Sequence, residues 1–115
     1  MNTEPNKSSG ALTPAVAHHL KQAVAYAEGS IVSRTLIKSK AGTITLFAFD
    51  TGQELSEHST PFDAFVQVLD GQVCLTIGGE DLTVNTGETV VMPANIPHAV
   101  KATTRFKMLL TMIRG

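Results

Sequence analysis

Past residue 30 the chain alternates between short runs of apolar and β-branched residues and breaks marked by glycine or proline. The runs are Ile31 to Ile37, Thr43 to Phe49, Ala64 to Leu69, Gln72 to Ile77, Asp81 to Val84, Thr89 to Met92, His98 to Val100 and Phe106 to Ile113. Between them lie Ala41-Gly42, Asp50-Thr51-Gly52, Asp70-Gly71, Gly78-Gly79, Asn85-Thr86-Gly87 and the stretch from Pro93 to Pro97. Short, evenly spaced strands with Asp-Gly, Gly-Gly and Thr-Gly turns predict an antiparallel sandwich or barrel. No strand alternates with a helical pattern, which disfavours an α/β fold.

The first thirty residues read differently. Residues 1–12 are rich in Ser, Asn, Pro and Gly and are expected to form a disordered tail. Thr13 then offers a cap and Pro14 a first helical position. Val16, Leu20, Val24 and Ala25 follow at helical spacing, and Gly29 ends the run. The pattern predicts a short N-terminal helix over 13–28 lying on a single β-domain over 30–113.

The chain has 115 residues, which fits one domain. Charged residues make up 17% of it, below the usual quarter. So few charges fit either a surface hidden by a second copy or a merely bland surface. The net charge of −1, with both signs interspersed, gives no footprint for nucleic acid or an anionic membrane. No run of ~20 apolar residues exists to span a bilayer, and no secretory signal is visible, so a cytoplasmic location is expected. Cys74, in an apolar run, reads as a small buried hydrophobe.

Two segments carry a family resemblance. Gly52, His58 and Gly71, with Val68-Leu69-Asp70-Gly71 as a strand ending, match the first motif of the cupin superfamily in identity and spacing. Gly87, Pro93 and His98 match its second motif, with Asn95 where that motif has its second Gly. The chain therefore resembles a small single-domain cupin of the type-2, RmlC-like group. The resemblance implies an all-β, antiparallel jelly-roll β-barrel, usually a homodimer, here expected to pair through the Ile31–Ile37 strand and the helix. It also implies a divalent transition metal (Fe, Mn, Ni or Zn) held by three histidines and one glutamate. Thr60 stands at the second His position, Ala64 at the Glu position and Ala102 at the last motif position, often Asn. The ligand set is thus incomplete.

His58 and His98 remain as metal candidates, since neutral imidazole is a good transition-metal ligand. Two imidazoles alone make a weak site, because catalytic zinc takes three protein ligands and non-haem iron adds a carboxylate. Asp63 borders the vacated Glu position but has the wrong strand parity unless a bulge near Pro61-Phe62 shifts it. Glu57 and Gln67 have the same parity problem. Phe47, Phe49, Phe62, Phe65, Met92, Phe106, Met108 and Met112 could wall a pocket or simply fill a barrel core.

The expected pocket comprises Phe49, His58, Thr60, Ala64, Met92, His98 and Met108. Three functions follow. One is a binding domain for a small organic ligand, with metal weak or absent. A second is a metal-dependent oxygenase, isomerase or decarboxylase. The third is a dimerising domain with a vestigial pocket. The missing ligands at 60 and 64 favour the first. His18 and His19 point about 100° apart on a helix and cannot chelate one ion together. Lys101, Arg105 and Lys107 read as a solvated edge. No Ser-His-Asp order, phosphate-binding loop or glycosidase-type carboxylate pair is present.

Overall fold

A computed structural model describes residues 10–114. Its strands are β1 (Ile31–Ser39), β2 (Gly42–Phe49), β3 (Glu54–His58), β4 (Phe62–Ile77), β5 (Glu80–Asn85), β6 (Thr89–Met92), β7 (His98–Lys101) and β8 (Phe106–Arg114). All pairings are antiparallel. One leaf runs β1-β2-β8-β4-β6 and the other β5-β4-β7-β3. The turn pattern predicts an antiparallel sandwich or barrel and the family resemblance implies a jelly roll; the sheet is that curled antiparallel jelly roll.

The 16-residue β4 belongs to both leaves. Its first part pairs with β8 and β6, its last part with β5 and β7. A register shift between Val68 and Asp70 marks the crossing. Asp70-Gly71 was expected to be a turn between two strands; the chain bends there but stays in the sheet. Gly71 has φ +79, and a Cβ on it would strike the backbone of Arg105. Glycine is required because the neighbouring strand passes so close. The hairpin at Gly78-Gly79 joins β4 to β5 as expected.

β3 is a strand that the sequence pattern does not announce. Glu54-Leu55-Ser56-Glu57-His58 has one apolar residue, and its outward side chains stay in water. It forms because β7 offers a free edge: Leu55 pairs with Val100, and a bulge then brings His58 opposite His98. Two further bonds, from Gly52 N–H to Ala102 O and from Ala102 N–H to Gln53 O, extend the ladder.

Between the leaves, Phe49, Ala64, Val66, Val68, Val73, Leu75, Val84, Met92, Val100, Phe106 and Met108 form one buried cluster. Phe49 and Phe106 stack inside it with ring centroids 4.6 Å apart.

The N-terminal helix over 13–28 does not form. Only a 3-10 turn at Leu20–Gln22 appears, and Ala15 sits at φ +62, outside the helical region. The segment is instead a strap laid across the outer face of the five-stranded leaf. Leu20, Ala23, Val24 and Tyr26 cover Val32, Leu36, Leu46, Ala48, Leu69 and Leu109. Several of the carbonyls in and before it are satisfied from the sheet rather than within a helix. The Arg34 guanidinium donates to the carbonyl oxygens of Gly10 (3.0 Å), Ala11 (3.2 Å) and Ala23 (2.9 Å). Gly10 to Leu12, expected in the disordered tail, are thereby drawn onto β1; residues 1–9 of that expected tail lie outside the described residues. The Tyr26 hydroxyl donates to Asp70 Oδ2 at 2.6 Å, and its ring carries the cations of Arg105 and Lys107 at 5.0 and 4.9 Å. Among the described residues no helix is long and apolar enough to cross a membrane.

Candidate functional site

The β3–β7 ladder places the two candidate histidines opposite each other. The ring centroids of His58 and His98 are 4.4 Å apart, with planes at 68°. His98 is buried, the only buried polar or charged residue among those described, while His58 is exposed at the strand end. Both rings are oriented in the same way. His58 Nδ1 lies 2.8 Å from the Ser56 carbonyl oxygen, and His98 Nδ1 lies 3.3 Å from that of Ile96. A carbonyl oxygen only accepts, so Nδ1 is the donor in each ring. In its neutral form each ring then carries its lone pair on Nε2. Burial pulls the His98 proton affinity below the ordinary histidine value, and the neighbouring His58 adds to the effect against the opposing pull of the Ile96 carbonyl. His98 is therefore a neutral base at pH 7.

The other expected site residues divide into two groups. Phe49, Ala64, Met92 and Met108 are packed in the central cluster, with Ala64 directly between Met92 and Met112 in the register of β6, β4 and β8. Thr60 is half-buried, but its Oγ1 is engaged locally, accepting from the Phe62 N–H at 3.3 Å and donating to the Phe62 carbonyl at 3.2 Å. Asp63 takes the outward parity. It is exposed, and its Oδ1 accepts the Ala94 N–H at 2.9 Å, pinning the loop before His98. No bulge turns it inward. Asn95, at the family's glycine position, adopts φ +65, a left-handed conformation that asparagine tolerates. The turn into β7 is thus kept without glycine. The Ser56 and Ile96 carbonyls are orienting groups that sequence reading missed; their only signal is their place two residues before each histidine.

These donors do not fit a centre of three histidines and a glutamate. Position 64 has no donor atom, the Thr60 hydroxyl is occupied, and the Asp63 carboxylate lies on the outer face. Among the described residues no group of three or more His, Cys, Asp or Glu is placed to hold a metal ion.

A family model described as the cupin domain matches residues 45–114. The chain belongs to the cupin family. Several solved structures share its shape. A conserved protein of unknown function from Streptococcus pyogenes is 40% identical over 90% of this chain and 91% of its own, with a TM-score of 0.87. A cupin 2 conserved barrel domain protein from Leptotrichia buccalis is 43% identical over 82% of this chain, at a TM-score of 0.80; the match covers 46% of that longer protein. A cupin superfamily protein from Desulfitobacterium hafniense is 25% identical, at a TM-score of 0.85, over 90% of this chain and 95% of its own. No curated protein matches the chain.

Proposed function

We propose that this cupin is a binding domain for a small, mostly apolar or aromatic organic molecule, seated at His58 and His98 without a tightly held metal. The observation that carries this reading is the pair itself: two imidazoles 4.4 Å apart, each with its Nδ1–H given to a main-chain carbonyl. That arrangement presents Nε2 acceptors, which suit a hydroxyl or N–H of a ligand. Ile77, directly opposite His98 on β4, offers such a ligand an apolar neighbour. The neutral His98 can also take a proton from a bound hydroxyl, so the same pair has the makings of a general base. With no donor atom at position 64 and the Thr60 hydroxyl engaged with Phe62, the ligand rather than a metal is left to satisfy the imidazoles.

The test joins two measurements on the purified chain. Metal content is determined by mass spectrometry, and melting is followed against a panel of phenols and small organic acids. The expected result is substoichiometric metal, together with at least one compound that raises Tm in the wild type and not in the His58→Ala/His98→Ala double variant. Stoichiometric iron, manganese or nickel, retained through purification and lost in the double variant, overturns the reading in favour of a two-histidine metal enzyme.

A further inference from the structure

The strap leaves two openings against the outer face of the five-stranded leaf, and the two run into each other. The first, about 530 Å³, is an apolar groove lined by Pro14 and Val16 of the strap and by Ile37, Ile44 and Leu109 of the sheet. Among the described residues no Asp, Glu, Lys or Arg lines it. Val16 and Ile37 stay 57% and 58% exposed, so the groove sets apolar surface against water. The second, about 600 Å³, is lined by Lys21, Gln22, Leu69 and Lys107, and among the described residues by no carboxylate. His18 and Leu20 line both, so one molecule can reach from the first into the second. Sites for small molecules span roughly 300–1,000 Å³, and both openings fall in that range.

β8 gives the pair of openings its two characters. Phe106 and Met108 are buried in the core, so Lys107 and Leu109 face out, about 7 Å apart along the strand. The lysine lines the basic opening and the leucine the apolar one. The Lys107 ammonium has three N–H donors; it gives one to the Lys21 carbonyl oxygen and lies 4.9 Å over the Tyr26 ring. Lys21 Nζ stands 3.8 Å from Asp70 Oδ1, too far for a hydrogen bond, and Asp70 already accepts from the Tyr26 hydroxyl. Arg105, on the same ring, is paired with Asp50. Two ammonium groups with donors to spare thus share one carboxylate neighbour.

We infer that the two openings form one site for a free anionic amphiphile, a carboxylate on an alkyl chain of medium length. Its carboxylate accepts from Lys21 and Lys107, and its tail lies between the strap and the outer side chains of β1, β2 and β8. The charge at one end and the absence of charge at the other select for such a molecule over a wholly apolar or wholly ionic one. An anionic bilayer is a poorer match, because the chain as a whole carries a net charge of −1. The site is separate from the histidine pair, which belongs to the other leaf through β3 and β7.

Titration calorimetry on the full chain, below the micelle concentration, tests this with decanoate, decanol and acetate. Decanoate is expected to bind one molecule per chain, about tenfold or more tighter than decanol, and acetate not to saturate. From hexanoate to decanoate the affinity should rise about two- to fourfold per added methylene. Lys107→Gln lowers decanoate affinity about tenfold and leaves decanol unchanged, whereas Lys107→Arg keeps decanoate binding. Ile37→Asp, at an exposed position, weakens decanoate and decanol alike with far-UV circular dichroism unchanged. The His58→Ala/His98→Ala variant binds decanoate as the wild type does, which separates this site from the histidine pair. Absence of saturable decanoate binding overturns the proposal; cosedimentation with phosphatidylglycerol vesicles, or a dimer in sedimentation equilibrium, would then give the face to a bilayer or to a second copy. Decanoate binding that is lost with the two histidines, or that ignores both Lys107 and Ile37, overturns it as well.

Discussion

His58 and His98 oppose each other across the β3–β7 ladder, and each donates its Nδ1–H to the carbonyl two residues before it, on Ser56 and Ile96. The shared pattern fixes the tautomer of both rings. It makes the pair a matched set of Nε2 acceptors rather than two unrelated side chains.

The burial of His98 makes stability depend on pH in a definite direction. Its proton affinity in the fold lies below the ordinary value, so the unfolded chain takes up the proton first as pH falls. The stabilising contribution is present above about pH 6.5 and is lost as pH drops below it. Denaturant unfolding at several pH values should show the loss, and His98→Gln should flatten it. Nitrogen NMR of the histidines at pH 7.5 should report His98 neutral and protonated on Nδ1.

The strap was misread as a helix for a physical reason. Val16, Leu20 and Val24 do recur at helical spacing, but an isolated helix of that length is marginal without a face to bury. Here the sheet supplies a better set of partners. Arg34 takes three strap carbonyls, and Leu20, Val24 and Tyr26 reach the sheet from an irregular path. β3 was missed because strand reading needs alternating apolar residues, and its one such residue is Leu55. What was legible were the features enforced locally: the hairpin glycines, the inward residues of β2, β4 and β8, and the two histidines that later meet. The split of β4 at Asp70-Gly71 was half legible, since glycine marked the bend but not that pairing continued through it.

Replacing Arg34 by Ala should free the strap without unfolding the barrel. Three charge-assisted hydrogen bonds are lost, at a cost of about 2 kcal/mol. Hydrogen exchange should rise first over residues 10–28, while the β4–β8 amides stay protected. Equal loss of protection everywhere would show that strap and barrel fold as one.

Phe106→Ala removes a fully buried ring that stacks on Phe49. A truncation of this kind costs about 3–5 kcal/mol, because the surrounding core relaxes only in part. Urea unfolding of the variant should show the midpoint falling accordingly, with the slope unchanged.

Asp50 ties the strap exit to the β8 entry. The Arg105 guanidinium at 2.8 Å, aided by the Gly29 and Thr51 N–H groups, holds its carboxyl down at about 2. Its contribution is present above the ordinary carboxyl value of about 4 and is lost as pH falls toward 2. Asp50→Asn should weaken the acid limb of a Tm against pH curve in that window, and added salt should do so in part.

β4 carries the exposed Phe65 near its start and, near its end, Ile77 beside His98. One continuous run of backbone therefore borders the histidine pair at one end and belongs to the strap-covered leaf at the other. Between these two ends the strand bends at Gly71, where the Arg105 backbone lies so close that a Cβ would strike it. Any side chain at position 71 would therefore disturb both leaves at once, the one that holds the histidine pair and the one that carries the strap.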